Sequence, residues 1–110
     1  MGVLLERKIQ ISNLPEGHSI DGFAVKQVIE SHYDKIASHF LGDLFLDVHF
    51  KELKKAGKKE ELDIRVNAKV NGKKFHASSM GWHAEKVLRE ALMAVEKEIA
   101  KAKAKKTSIR

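Results

Sequence analysis

The chain has 110 residues, with 21 Lys and Arg against 15 Asp and Glu, a formal charge of +6 and no cysteine. That length suits one domain spanning residues 1–110, large enough to hold a core without cross-links. The absence of cysteine excludes a disulfide framework and a thiolate metal site.

In chain order, MGVLLERKIQIS opens with a short apolar run before charges begin. The run is too short for a signal peptide, and Glu6 stands where a myristoylation motif wants a hydroxyl. No later run could span a bilayer, so a soluble cytoplasmic protein without a membrane partner is expected. Residues 4–12 alternate weakly, with Leu5, Ile9 and Ile11 opposite Lys8, Gln10 and Ser12, and suit a first strand. The segment NLPEGHS is a turn, Ser19 can cap a helix, and Asp21 suits its first turn. Phe23, Val25, Val28, Ile29, Ile36, Ala37 and Phe40 then recur at helical spacing up to Leu41, and Gly42 is placed to end the helix.

DLFLDVHFKEL reads as a half-buried strand, with Leu44, Leu46, Val48 and Phe50 inward and Asp47, His49 and Lys51 outward. KKAGKKEE reads as a charged loop. LDIRVNAKV alternates without a fault: Leu62, Ile64, Val66, Ala68 and Val70 inward, Asp63, Arg65, Asn67 and Lys69 outward. Asn71-Gly72 is the favoured pair for a two-residue type I′ hairpin, because both positions need positive φ. Pairing across it sets Val70 opposite Lys73, Lys69 opposite Lys74, Ala68 opposite Phe75 and Asn67 opposite His76. Directly opposed residues share a face, so Lys74, His76 and Ser78 join Arg65, Asn67 and Lys69. Gly81 breaks the strand and Trp82 begins a second helix as a packing anchor. That helix has Ala84, Val87, Leu88, Ala91, Leu92, Val95, Ile99 and Ala102 as its apolar stripe. The order is strand, helix, three strands, helix. Two helices on one face of a four-stranded mixed sheet bury every apolar stripe, an α+β fold of β-α-β-β-β-α order.

The six histidines are scattered: His32 and His39 lie two helical turns apart, and His49 and His76 are expected with a strand between them. No nucleophile elbow, glycine-rich phosphate loop or pocketed carboxylate pair occurs. Neither enzymatic activity, a cofactor, a metal nor a small-molecule substrate is expected. The open sheet face, with Arg65, Lys69, Lys74 and His76, is a cationic hydrogen-bonding patch, although a solvated face using charge against aggregation reads almost as well. The second helix adds Lys86, Arg89, Lys97, Lys101 and Lys103 outside its stripe, and a basic tail runs over 103–110. From Lys97 to Arg110 there are six cations and one carboxylate. The sheet face is expected to lack exposed aromatics, so contact through phosphates and shape is favoured over base stacking.

The run VNGKKFHASSMG resembles the third hairpin of the ribosome hibernation-promoting factor family, which includes the ribosome-associated inhibitor. That family also reads VNG, an apolar residue, His, Ala, Ser, and a glycine before its last helix. HYDKIASHF is similar to the family's basic, aromatic, x, Lys, apolar, then Phe segment. The terminal helix keeps Leu88, Leu92, Val95 and Ile99 in register, with a basic end. The resemblance covers essentially the whole chain. It implies the same fold and a protein that binds small-subunit rRNA in the decoding region and silences translation during stress. Lys35, Lys97, Lys101 and Lys103 stand at the family's basic positions, and His76 at its hairpin histidine. Met93 and Ala94 depart from the usual Asp-Lys, as do Ala100, Ala102 and the loop ELKKAGKKEEL. These departures and the Lys/Glu-rich, Cys-free composition imply a divergent branch of archaeal type, and the end at Arg110 resembles the family's short form; a monomer off the ribosome is expected. Two alternatives stand beside it: a general structured-RNA binder of this architecture, and a protein-interaction adaptor using the open sheet face.

Overall fold

The computed structural model describes residues 7–14, 22–39, 43–56 and 59–108, the side chains of 54–60 and 103–108 excepted. Within them the elements are β1 (Lys8–Ser12), α1 (Gly22–Ala37), β2 (Leu44–Ala56), β3 (Lys59–Val70), β4 (Lys73–Gly81) and α2 (Ala84–Ser108). The sheet order is β1-β2-β3-β4. β1 runs parallel to β2, as a strand–helix–strand crossover requires, and the remaining pairs are antiparallel. The α+β fold is the one expected.

The hairpin fixes the register. Asn71 and Gly72 adopt φ of 49° and 88°, the positive values a type I′ turn needs. Val70 therefore opposes Lys73, Lys69 opposes Lys74, and Asn67 opposes His76. The turn is also tied to the start of β2. The Asn71 N–H donates to the Asp43 carbonyl at 3.1 Å, and the Asp43 N–H donates to Asn71 Oδ1 at 3.0 Å.

Alternation sends Leu44, Leu46, Val48 and Phe50 of β2, and Leu62, Ile64, Val66, Ala68 and Val70 of β3, into one core. Val25, Val28, Ile29, Tyr33 and Ile36 of α1 and Val87, Leu88, Ala91, Leu92, Val95 and Ile99 of α2 close that core from one side. Burying each large apolar side chain is worth roughly 1.5–3 kcal/mol relative to leaving it exposed. Glu85 favours the dipole in the first turn of α2.

Several expectations are corrected. The charged loop at 54–61 is mostly strand: after a bulge between Glu52 and Lys54, pairing continues to Ala56 opposite Lys59. The register sets Lys54 opposite Glu61 and Lys55 opposite Glu60. Phe23 is 70% exposed instead of joining the apolar stripe. It lies two residues before Val25, about 200° around the helix from it. Tyr33 takes a place in the core that the apolar pattern did not assign. α1 ends at Ala37, closed by the Ser38 N–H on the Asp34 carbonyl and the His39 N–H on the Ile36 carbonyl. Trp82 precedes α2 rather than beginning it and is 39% exposed. Asp63 is expected to face solvent but is buried, with Oδ2 3.4 Å from Arg65 Nε. Its row neighbours Lys51 and Met80 flank it. Leu5, Ser19, Asp21, Phe40, Leu41 and Gly42 lie outside the described residues.

Candidate nucleic-acid interface

The strand registers arrange the uncovered face of the sheet in rows. The first is Lys8, Phe45, Lys69, Lys74; the second Gln10, Asp47, Asn67, His76; the third Ser12, His49, Arg65, Ser78. A fourth holds Lys51, Asp63 and Met80. Arg65, Lys69, Lys74 and His76 are thus brought together as expected, on three successive rows. Lys8 lies 3.6 Å from Asp43, and Arg65 is held by Asp63. Lys69 and Lys74 have no acidic partner among the described residues. His49 and His76 are separated by β3, and among the described residues no cluster of three or more His, Asp or Glu could hold a metal.

The other basic residues lie on the opposite side of the molecule. A groove of about 530 Å³ runs between α1 and α2, lined by Ser31, His32 and Lys35 from α1 and Arg89, Met93, Glu96, Lys97 and Ala100 from α2. Three cations and one carboxylate make it net positive. Glu96 sits between the helices, 3.8 Å from Lys35 Nζ and 3.9 Å from His32 Nδ1. Arg89 donates to Glu85 one turn back at 3.0 Å. Lys97 has no ion-pair partner among the described residues. The Arg89–Glu85 pair is exposed on both sides and therefore weak, so the guanidinium can be re-aimed at a phosphate at little cost, and the Lys35 ammonium is itself exposed.

His32 lies on the groove floor, its side chain 12% exposed. Its Nδ1 is enclosed and lacks a hydrogen-bond partner. Burial pushes its pKa below the usual histidine value; Glu96 opposes that shift, while Lys35 and Arg89 add to it. The carboxylate oxygen Oδ1 of Asp47, on the sheet face, is likewise enclosed without a partner.

Lys86 shares a line with Met93 and Lys97 along α2, at spacings of seven and four residues, and belongs to the outer helical surface. Lys101 lies 3.8 Å from Glu98 and does not line the groove. The side chain of Lys103 is outside the described residues. The residues singled out in the sequence therefore lie on two surfaces, the open sheet face and the helical side.

The expectation of a sheet face without exposed aromatics is corrected. Phe45 lies in the first row and is 37% exposed. Its parity was available, since every odd position from 45 to 51 faces away from the core. Lys8 in the same row, and His32 and Met93 in the groove, are further residues that the sequence did not single out as part of a binding surface.

No protein-family model matches this sequence, and no curated protein matches it. Solved structures do. The fold is that of the N-terminal domain of Protein Y from Thermus thermophilus, with a TM-score of 0.59 at 16% identity, over 86% of this chain and 96% of that one. It is also that of a ribosomal subunit interface protein from Coxiella burnetii, with a TM-score of 0.59 at 18% identity, over 87% of this chain and 97% of the other. The likeness covers most of this chain and establishes the shared architecture.

Proposed function

We propose that this protein is a ribosome-associated translation inhibitor of the hibernation type. It binds small-subunit rRNA at the decoding region, in the cytoplasm, and performs no chemistry of its own. The observation that carries the reading is the cation-lined groove between α1 and α2, set on a fold shared with a protein named for the ribosomal subunit interface. A groove flanked by Lys35, Arg89 and Lys97 suits the phosphates of a folded RNA, which positive side chains hold without reading sequence. Placement at the decoding region is what the resemblance of the VNGKKFHASSMG hairpin implies.

The test is sedimentation with purified small subunits at low and moderate salt. The protein should migrate with the subunit at low salt and leave it steeply as salt rises. Free protein at the top of a low-salt gradient would overturn the reading. Equal affinity for subunits and for arbitrary duplex RNA would make it a general structured-RNA binder.

A further inference from the structure

We propose that the uncovered sheet face is a second RNA surface, which holds an unpaired stretch with one base stacked on Phe45 and flanking phosphates on Lys69 and Lys74. The sheet face is separate from the helical groove, and the two lie on opposite sides of the molecule.

Lys69 stands directly opposite Lys74. Like charges directly opposed across a ladder are destabilising. Neither lysine has an acidic partner among the described residues. A pair that costs stability in the free protein is relieved by a polyanion laid across it.

Phe45 on β2 is the neighbour of Lys69, with Lys8 on its other side. An aromatic ring bordered by cations on an uncovered sheet is the arrangement that holds single strands: bases stack on the ring while phosphates meet the ammonium groups. Bases in a duplex are already stacked and cannot use it. The next row, Gln10, Asp47, Asn67 and His76, lies about 7 Å further along the strands and offers donors and acceptors to the edge of a stacked base.

A protein partner is the other candidate occupant, and the face suits it poorly. Within the four rows the large apolar side chains are Phe45 and Met80, at opposite ends. Protein interfaces gather their apolar residues at a centre depleted of charge, and here lysines surround the ring. The choice of RNA over another single strand rests on the ribosomal reading; the stacking and phosphate chemistry does not.

The test uses the isolated chain and a ten-nucleotide single-stranded RNA of mixed sequence, followed by fluorescence anisotropy. Phe45→Leu keeps apolar cover but removes stacking, and should weaken binding by about 5- to 150-fold. Phe45→Trp should retain affinity. Lys69→Gln with Lys74→Gln should make the plot of log K against log salt shallower by about 1.4, the value for two single-strand phosphates. A duplex of equal length should compete poorly. Circular dichroism checks each variant's fold, and the tryptophan and lysine variants decide the matter if the leucine variant fails to fold. The proposal is overturned if the folded Phe45→Leu variant binds like the unaltered protein. It is also overturned if duplex and single strand compete equally, or if the double glutamine variant keeps its salt slope. No ribosomal subunit is present, so failure here leaves the groove's role in subunit binding to its own measurement.

Discussion

The hydroxyl of Tyr33 donates a hydrogen bond to the carbonyl of Leu44 at 2.9 Å, and the bond is buried. The same oxygen accepts from the Lys8 N–H at 3.2 Å. One side chain of α1 therefore meets the first residue of both parallel strands. Arg7 donates twice to Asp34, the next residue of α1, at 2.9 Å each. Tyr33→Phe keeps the ring and removes both bonds. Urea unfolding should report a loss of about 1–3 kcal/mol, the cost of leaving buried partners unpaired. Amide exchange at Lys8 should accelerate beyond the global change, because its hydroxyl acceptor is lost.

Gly81 ends β4 under the first turn of α2. A Cβ built there would lie 2.8 Å from Val87 Cγ2. Val87 is buried, so the neighbour has little room to yield. Gly81→Ala should destabilise by about 1–3 kcal/mol, as overpacking does. Val87→Ala opens a cavity by itself, yet combined with Gly81→Ala it removes the clash. The double variant should be more stable than the sum of the two losses, a coupling that thermal unfolding of all three proteins measures.

How much of this was written in the sequence depends on the kind of signal. Alternation from Leu62 to Val70 and the Asn71-Gly72 pair specify β3, the hairpin and its register, because period two and positive φ are local requirements. The stripe of α2 is equally legible. The strands at 54–61 were not: their lysines and glutamates read as a loop, and only pairing with each other makes them a ladder. Phe23 misled because an apolar residue near a helix start counts toward the stripe unless its angle is checked. The candidate site was legible as residue types and as an open sheet face apart from the outer sides of the helices, but the groove between the helices was not. Lys35, Arg89 and Lys97 come together only when α1 and α2 pack side by side. Phe45 was hidden by its neighbours, since a strand of Leu44, Phe45 and Leu46 looks uniformly apolar until parity assigns the faces.

The depressed pKa of His32 gives stability a pH dependence of known sign. The unfolded chain takes up the imidazole proton near the ordinary value of 6.5, and the folded chain only at lower pH. Between those two points the unfolded state binds more protons, so stability falls as pH falls below 6.5 and reaches its full loss below the folded value. His32→Gln should flatten that segment of a stability–pH profile measured by urea unfolding. Asp34 acts in a separate window. The Arg7 hydrogen bond lowers its pKa from 3.8, so its contribution is present above that value and lost as pH falls through the folded one. Exposure of the Arg7–Asp34 pair keeps that contribution small. An unchanged profile in the glutamine variant below pH 6.5 would remove His32 as the cause.

The groove predicts a salt signature different from that of a basic tail. Lys101 is engaged with Glu98 beyond the groove, whereas Lys35, Arg89 and Lys97 line it. All three are exposed, so changing them together to Gln should leave the core intact. If each meets one phosphate of a folded RNA helix, the plot of log K against log salt for small subunits should become shallower by about 2–3 units. Lys101→Gln alone should shift it by less than one unit. His32→Ala should have a smaller effect than the triple change near neutral pH, because a neutral imidazole releases no counterion. Wild-type affinity and slope in the triple variant, with binding abolished by reversing Arg65 and Lys74 to Glu, would move the subunit contact from the groove to the sheet.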